Sequence, residues 1–133
     1  MKLSRTALYA IQAIVQLGAA GPGALVPSRQ LAQSGEIPER FLLQILRGLV
    51  AEGLLTSKRG VFGGYSLARG LEEISLLDII EAVEGPLVLE MPPLPVPQRK
   101  LAEALRAVST QVRADLAAIK VSQLITVVDE PGR

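Results

Sequence analysis

Three helix-like segments followed by a single glycine-centred hairpin constrain this chain more than any other feature. Ser4 is a good N-cap, and the run from it to Ala20 predicts a first helix stopped by Gly21-Pro22-Gly23. Pro27 can open a short second helix over Ser28 to Gln33, and Ser34-Gly35 reads as a turn. Pro38 suits the first position of a third helix, which Gly53 can end with a left-handed C-cap. Leu54-Leu55-Thr56-Ser57-Lys58 and Tyr65-Ser66-Leu67-Ala68 read as strands. Between them, Arg59-Gly60-Val61-Phe62-Gly63-Gly64 holds glycines that permit the positive φ angles of a hairpin turn. A three-helix unit followed by a two-stranded ribbon is the order of a winged helix-turn-helix. The expected fold is therefore mainly α, with a small β-hairpin wing.

The rest of the chain extends this unit. Ser75, with Asp78 three residues on, caps another helix to about Glu84, and Gly85-Pro86 ends it. Met91 to Pro97 carries four prolines in seven residues and must be a loop or extended. Gln98 to Lys120 contains no Gly or Pro and is rich in Ala, Leu, Arg and Glu, so it reads as a long helix. The expected boundaries are a winged domain over 1–87, a proline-rich loop over 88–97, a dimerisation helix over 98–125 and a flexible tail over 126–133. No internal repeat is visible. At 133 residues this is one domain with an appended arm.

Composition removes several kinds of chemistry. The chain has no Cys and no His, which excludes disulfides, thiolate or imidazole metal ligands and every Cys or His nucleophile. Trp is absent and only two Tyr and two Phe occur, which argues against an aromatic base-stacking platform. No paired carboxylates converge, and Gly60 to Gly64 lacks the Lys-Ser/Thr ending of a phosphate loop, so no enzyme is expected. The charge is uneven. Residues 1–70 carry eight basic and three acidic side chains, and residues 71–133 carry six basic and ten acidic ones. A basic half suggests a polyanion partner; chance clustering on a solvated surface is the equally weighted alternative.

Lys2 and Arg5 before the apolar run Ala7–Ala20 resemble a targeting signal. However, Gln12 and Gln16 lie four apart on one face, opposite Ala7, Ile11, Ile14 and Gly18, which fits an amphipathic buried helix. No other stretch is long and apolar enough to span a bilayer, so the expectation is a cytoplasmic protein with no membrane partner.

Helix three carries the sharpest local argument. At 100° per residue, Phe41, Leu42, Ile45, Leu46 and Leu49 fall on one side, and Arg40, Leu43, Gln44 and Arg47 on the other. Arg and Gln can make paired hydrogen bonds to base edges in a major groove; a solvated face is the alternative. In a helix-turn-helix the second helix of the motif enters the groove. Lys58 and Arg59 sit at the neck of the hairpin, where a thin basic ribbon can follow the DNA backbone or reach a minor groove. Phe62 near the tip is expected to fold back onto the sheet or onto a dimer mate, because an exposed Phe gains nothing in water.

These residues carry a resemblance. The opening Met1-Lys2-Leu3-Ser4 through Tyr9-Ala10, Leu31-Ala32, Leu42…Ile45…Leu49, Glu52-Gly53-Leu54, Arg59-Gly60, Gly63 to Ala68 and Ile74 to Leu87 resemble the bacterial winged-helix regulator family of IscR, NsrR, RsrR and CymR, the Rrf2 family. The similarity covers about residues 1–90 well and the long helix more loosely. It implies a homodimeric repressor or activator bound to a double-stranded DNA operator. It places base reading at Arg40, Leu43 and Gln44, a wing contact at Arg59 and the Gly60 backbone, and phosphate contacts at Lys2, Ser4, Arg5, Ser28 and Arg29.

Departures from the family pattern matter. Position 43 is Leu where some members place Glu, so it can pack on a thymine methyl but cannot accept from cytosine, and the operator should differ from theirs. Val61-Phe62 replaces small residues in the wing. Cluster-binding members place three cysteines between Leu87 and the long helix; here that loop offers only Glu90. No cofactor is therefore expected, and any effector would be a small molecule of another kind. On the long helix, Leu105, Val108, Val112 and Ile119 follow 3, 4 and 7 spacing, with Leu101 four residues before, Leu116 beside the seam and Asp115 interrupting it. That stripe is the expected dimer interface, and packing on the chain's own domain is the alternative. The rival function is a winged-helix interaction module, or a small-molecule-sensing regulator with weak or no operator binding.

Overall fold

The computed structural model describes residues 2–125, so the tail expected over 126–133 lies outside the described residues. The elements follow the expected order: α1 Arg5–Ala19, α2 Ser28–Gly35, α3 Glu39–Ala51, β1 Leu55–Lys58, β2 Gly64–Leu67, α4 Leu76–Glu84 and α5 Arg99–Ala118. Ser4 caps α1, its Oγ accepting from the Ala7 N–H at 3.0 Å. The apolar run after it is a core helix, with Ala7, Ala10, Ala13, Ile14, Leu17 and Gly18 buried. Its alanines let α3 and α4 approach closely. On the other side Gln12 is exposed, and Gln16 Nε2 donates to the Leu31 carbonyl at 3.4 Å.

Leu42, Ile45, Leu46 and Leu49 of α3 are buried, as the periodicity requires. With Leu31, Leu54, Leu55, Ile74 and Ile79 they form one continuous core. Each such side chain contributes ~1.5–3 kcal/mol over leaving it exposed. The helix-turn-helix turn differs in detail from the sequence reading. α2 runs on through Gly35, and Glu36 takes the left-handed conformation at φ +54°. Gly35 serves close packing instead, since a Cβ there would lie 2.9 Å from both Gln16 Nε2 and Ile37 Cδ1. α3 begins at Glu39, with Pro38 just outside it.

The wing is antiparallel, pairing Leu55 with Leu67, Thr56 with Ser66, Ser57 with Tyr65 and Lys58 with Gly64. Its base is fastened to the segment before α2. The Val26 N–H donates to the Tyr65 carbonyl and the Tyr65 N–H to the Val26 carbonyl, both at 2.9 Å. Gly64 makes this possible: its φ is +154°, and a Cβ would lie 2.6 Å from the Val26 carbonyl.

Ser75 and Asp78 form a full capping box at α4, with both hydrogen bonds at 3.0 Å. The loop after α4 holds no regular element until a 3-10 turn over Val96–Gln98. α5 is shorter than the 98–125 span read from the sequence. It ends at Ala118, and Ile119 is extended. The Leu76 N–H donates to the Ile119 carbonyl, and the Val121 N–H to the Ile74 carbonyl, each at 2.9 Å. Val121 is wholly buried in the core. Pairing with the start of α4 thus draws the chain out of the helix, and Ile119 is removed from the helical stripe expected to include it. Arg113 of α5 pairs with Glu81 of α4; it also donates to the Leu87 carbonyl at 3.2 Å, while the Leu87 N–H donates to Glu81 at 2.7 Å.

Candidate nucleic-acid interface

α3 presents Arg40, Gln44 and Arg47 to solvent, with Leu43 half-buried among them. They lie at successive turns, opposite the buried leucines, so burial of one face sets the direction of the other. Arg40, Leu43 and Gln44 stand on a convex ridge, the shape that enters a major groove ~12 Å wide.

Arg47 turns the ridge into a cleft. A space of about 490 Å³ between the start of α2, the second half of α3 and the wing brings together Ser28, Arg47, Lys58, Arg59 and Gly60. Pro27, Ser57 and Tyr65 also line it. The sequence reading missed these three. Pro27 and Tyr65 reach the cleft through the Val26 pairing, and the only signal for it was Leu25-Val26 before Pro27, too short to read as a strand.

A shallower space beside this cleft is lined by Ser28, Arg29, Gln30 and Glu39. Ser28 Oγ donates to Glu39 Oε2 at 3.1 Å, so its hydroxyl already has a partner. Ser4 is also occupied, because its hydroxyl caps α1 and donates to Glu84. Lys2 and Arg5 are exposed at the start of α1, away from the wing cleft. Arg5 stands on the α3 side, because Tyr9, one turn past it, meets Phe41, the neighbour of Arg40, edge-on. Phe62 does not fold back onto the sheet: it is 88% exposed and Val61 is 94% exposed. Both occupy the turn itself, where the side chains have no strand face to lie on.

The stripe on α5 is left partly uncovered. Leu101 is 51% and Val108 60% exposed, and Leu105, Val112 and Leu116 are half-buried. Ala102 alone on this helix is buried. A space of about 420 Å³ lies between the start of α5 and the proline-rich loop, lined by Leu89, Met91 to Val96, Arg99, Ala102 and Arg106. The Glu81 carboxyl lies below its ordinary pKa. Burial opposes its charge, but the hydrogen bonds from Arg113 and the Leu87 N–H, with the charge of Arg113, outweigh burial. No helix among the described residues is long and apolar enough to cross a membrane.

Comparison with known proteins bears on the family and the fold. The family model described as "Rrf2: Iron-dependent Transcriptional regulator" matches residues 3–127. The chain is 44% identical over 87 residues to the HTH-type transcriptional regulator MT1325 of Mycobacterium tuberculosis, covering 65% of this chain and 54% of that protein. It thus spans about half the length of the curated relatives it first matches. The structure of CymR, the global cysteine regulator of B. subtilis, superposes with a TM-score of 0.85 at 25% identity, covering 97% of this chain and 99% of that one. The T. potens IscR structure matches with a TM-score of 0.74 at 27% identity over 93% of this chain and 85% of that chain.

An iron site would need ligating side chains that this chain does not bring together among the described residues. The chain holds no Cys or His, and the loop after α4 offers only the Glu90 carboxylate. Among the described residues no group of three or more acidic side chains is placed to hold a metal ion. These residues do not fit an iron–sulfur cluster. The chain is a winged-helix protein and belongs to the Rrf2 family of transcriptional regulators.

Proposed function

We propose that this chain is a sequence-specific DNA-binding transcriptional regulator that acts as a homodimer on a pseudo-palindromic operator, without an iron–sulfur cluster. The observation that carries the reading is the position of Arg47. It belongs both to the exposed ridge of α3 and to the cleft shared with Lys58 and Arg59 of the wing. One basic surface therefore runs from a helix that can read base edges to a ribbon that can hold the backbone. In this reading Arg40, Leu43 and Gln44 read bases, while Lys2, Arg5, Arg29, Lys58 and Arg59 bind phosphates, with the Gly60 backbone at the wing. Ser4 and Ser28 contribute through their helix starts, since their hydroxyls are engaged.

Dimerisation is supported by the α5 stripe, because Leu101 and Val108 would be covered by a second α5. The 420 Å³ space with Arg99 and Arg106 favours a second element, a small-molecule effector that is anionic and partly apolar. Selection of bound sequences from random DNA tests the main reading. Enrichment of a two-fold symmetric site is expected, and Arg40→Ala should relax it at defined positions. If no sequence is enriched, the chain is an interaction module.

A further inference from the structure

We propose that Phe62, with Val61, is an apolar wedge that enters the minor groove beside each half-site and parts a base step there. The inference rests on the operator-binding reading above. The turn at the wing tip is closed by the Gly63 N–H donating to the Gly60 carbonyl at 2.9 Å, which leaves Val61 and Phe62 at its two corners. They are the most exposed large apolar side chains among the described residues, at 94% and 88%. An isolated exposed Leu or Val is ordinary on a protein surface, but a paired Val-Phe at the end of a narrow ribbon is a small apolar point.

Charge complementarity selects DNA as the occupant. Lys58 and Arg59 stand directly behind the tip, and Arg47 and Ser28 face them across the cleft. If the cleft holds a phosphate strand, the tip is carried past the backbone into the adjoining groove. The minor groove is ~6 Å wide and too narrow for a helix, but a two-residue turn can enter it. Proteins that read this groove insert Phe, Leu, Ile or Met between base steps and kink the duplex toward the major groove. Pyrimidine–purine steps such as TA unstack most easily, so a preference for one is expected outside the bases that α3 reads.

The test uses the full chain and its selected operator, labelled at both ends for distance measurement by energy transfer, with 2-aminopurine at the flanking step. The wild-type complex is expected to be bent, with the 2-aminopurine fluorescence raised. Phe62→Ala should bind about tenfold or more weakly, the scale of losing one aromatic–base stack, and leave the DNA straighter. Its salt dependence should be unchanged, since no charge is lost, and Phe62→Leu should keep most of the bend. Unaltered affinity and bend in Phe62→Ala, while Arg40→Ala still relaxes base preference, would overturn the wedge and leave the regulator reading intact. A change of oligomeric state in Phe62→Ala with unchanged DNA affinity would assign the tip to a protein contact and also overturn it. Failure of the wild-type chain to bind any selected DNA removes both readings together.

Discussion

Tyr9 of α1 meets Phe41 of α3 edge-on, with ring centroids 5.6 Å apart and planes 77° apart. Phe41 lies next to Arg40 in sequence, so this pair fixes how the start of α3 stands against α1. Edge-to-face pairs add about 0.5–1.5 kcal/mol beyond the area they bury. A double-mutant cycle of Tyr9→Leu and Phe41→Leu, read by urea unfolding, should give a coupling energy of about 1 kcal/mol. Strict additivity of the two changes would show that the rings only fill space.

Glu36 supplies the left-handed residue in the turn between α2 and α3, at φ +54°. A side chain in that conformation costs roughly 1 kcal/mol relative to glycine. Glu36→Gly should therefore stabilise the chain by about 0.5–1 kcal/mol, less what the unfolded chain gains in freedom. Thermal unfolding measures it; because the two effects nearly offset, only a loss of more than about 0.5 kcal/mol would mean that the Glu36 side chain makes a compensating contact.

The depressed carboxyl of Glu81 links pH to the seating of α5. A group whose folded pKa lies below its unfolded value contributes stability above the unfolded value and loses it as pH falls through the folded one. Unfolding followed from neutral pH down through the carboxylate range should show this loss, muted because both partners remain partly exposed to solvent. Arg113→Met should reduce the acid-linked part of the loss. An identical pH profile in that variant would contradict the assignment.

The three helices, the wing and α4 were legible in the sequence because local signals agreed there: Ser4 and Ser75 as caps, the glycines of the turn, and a helical period that buries Leu42, Ile45, Leu46 and Leu49. Arg40, Gln44, Lys58 and Arg59 were legible as exposed basic or polar positions for the same reason. What escaped depends on contacts far apart in the chain. The end of α5 is set by Val121 entering the core beside Ile74, which no helical periodicity of residues 98–125 reports. The partners of Ser4 and Ser28 are carboxylates 80 and 11 residues away, so their engaged hydroxyls were invisible to local reading. Phe62 was expected on the sheet or on a dimer mate because hydrophobicity argues for burial, and the sheet half of that expectation fails because the two-residue turn leaves it no strand face to cover.

Val112 lies half-buried at the border of the α5 stripe, one turn from the exposed Val108. If two α5 helices cross there, Val112→Asp buries an unpaired carboxylate in each subunit, at a cost of several kcal/mol. The variant should sediment as a monomer, retain most of its helical content and bind the operator more weakly. A folded dimer with unchanged affinity would place the oligomer contact elsewhere.

The basic surface of α3 and the wing is proposed to grip DNA phosphates, and the salt dependence of binding measures that grip directly. With about six to eight phosphate contacts per dimer, affinity for the selected operator should fall ~10³-fold or more between 50 and 200 mM salt. Arg29→Ala should lower the slope of log affinity against log salt by about one phosphate per subunit while leaving base preference unchanged. A flat salt response of the wild-type chain would contradict the account.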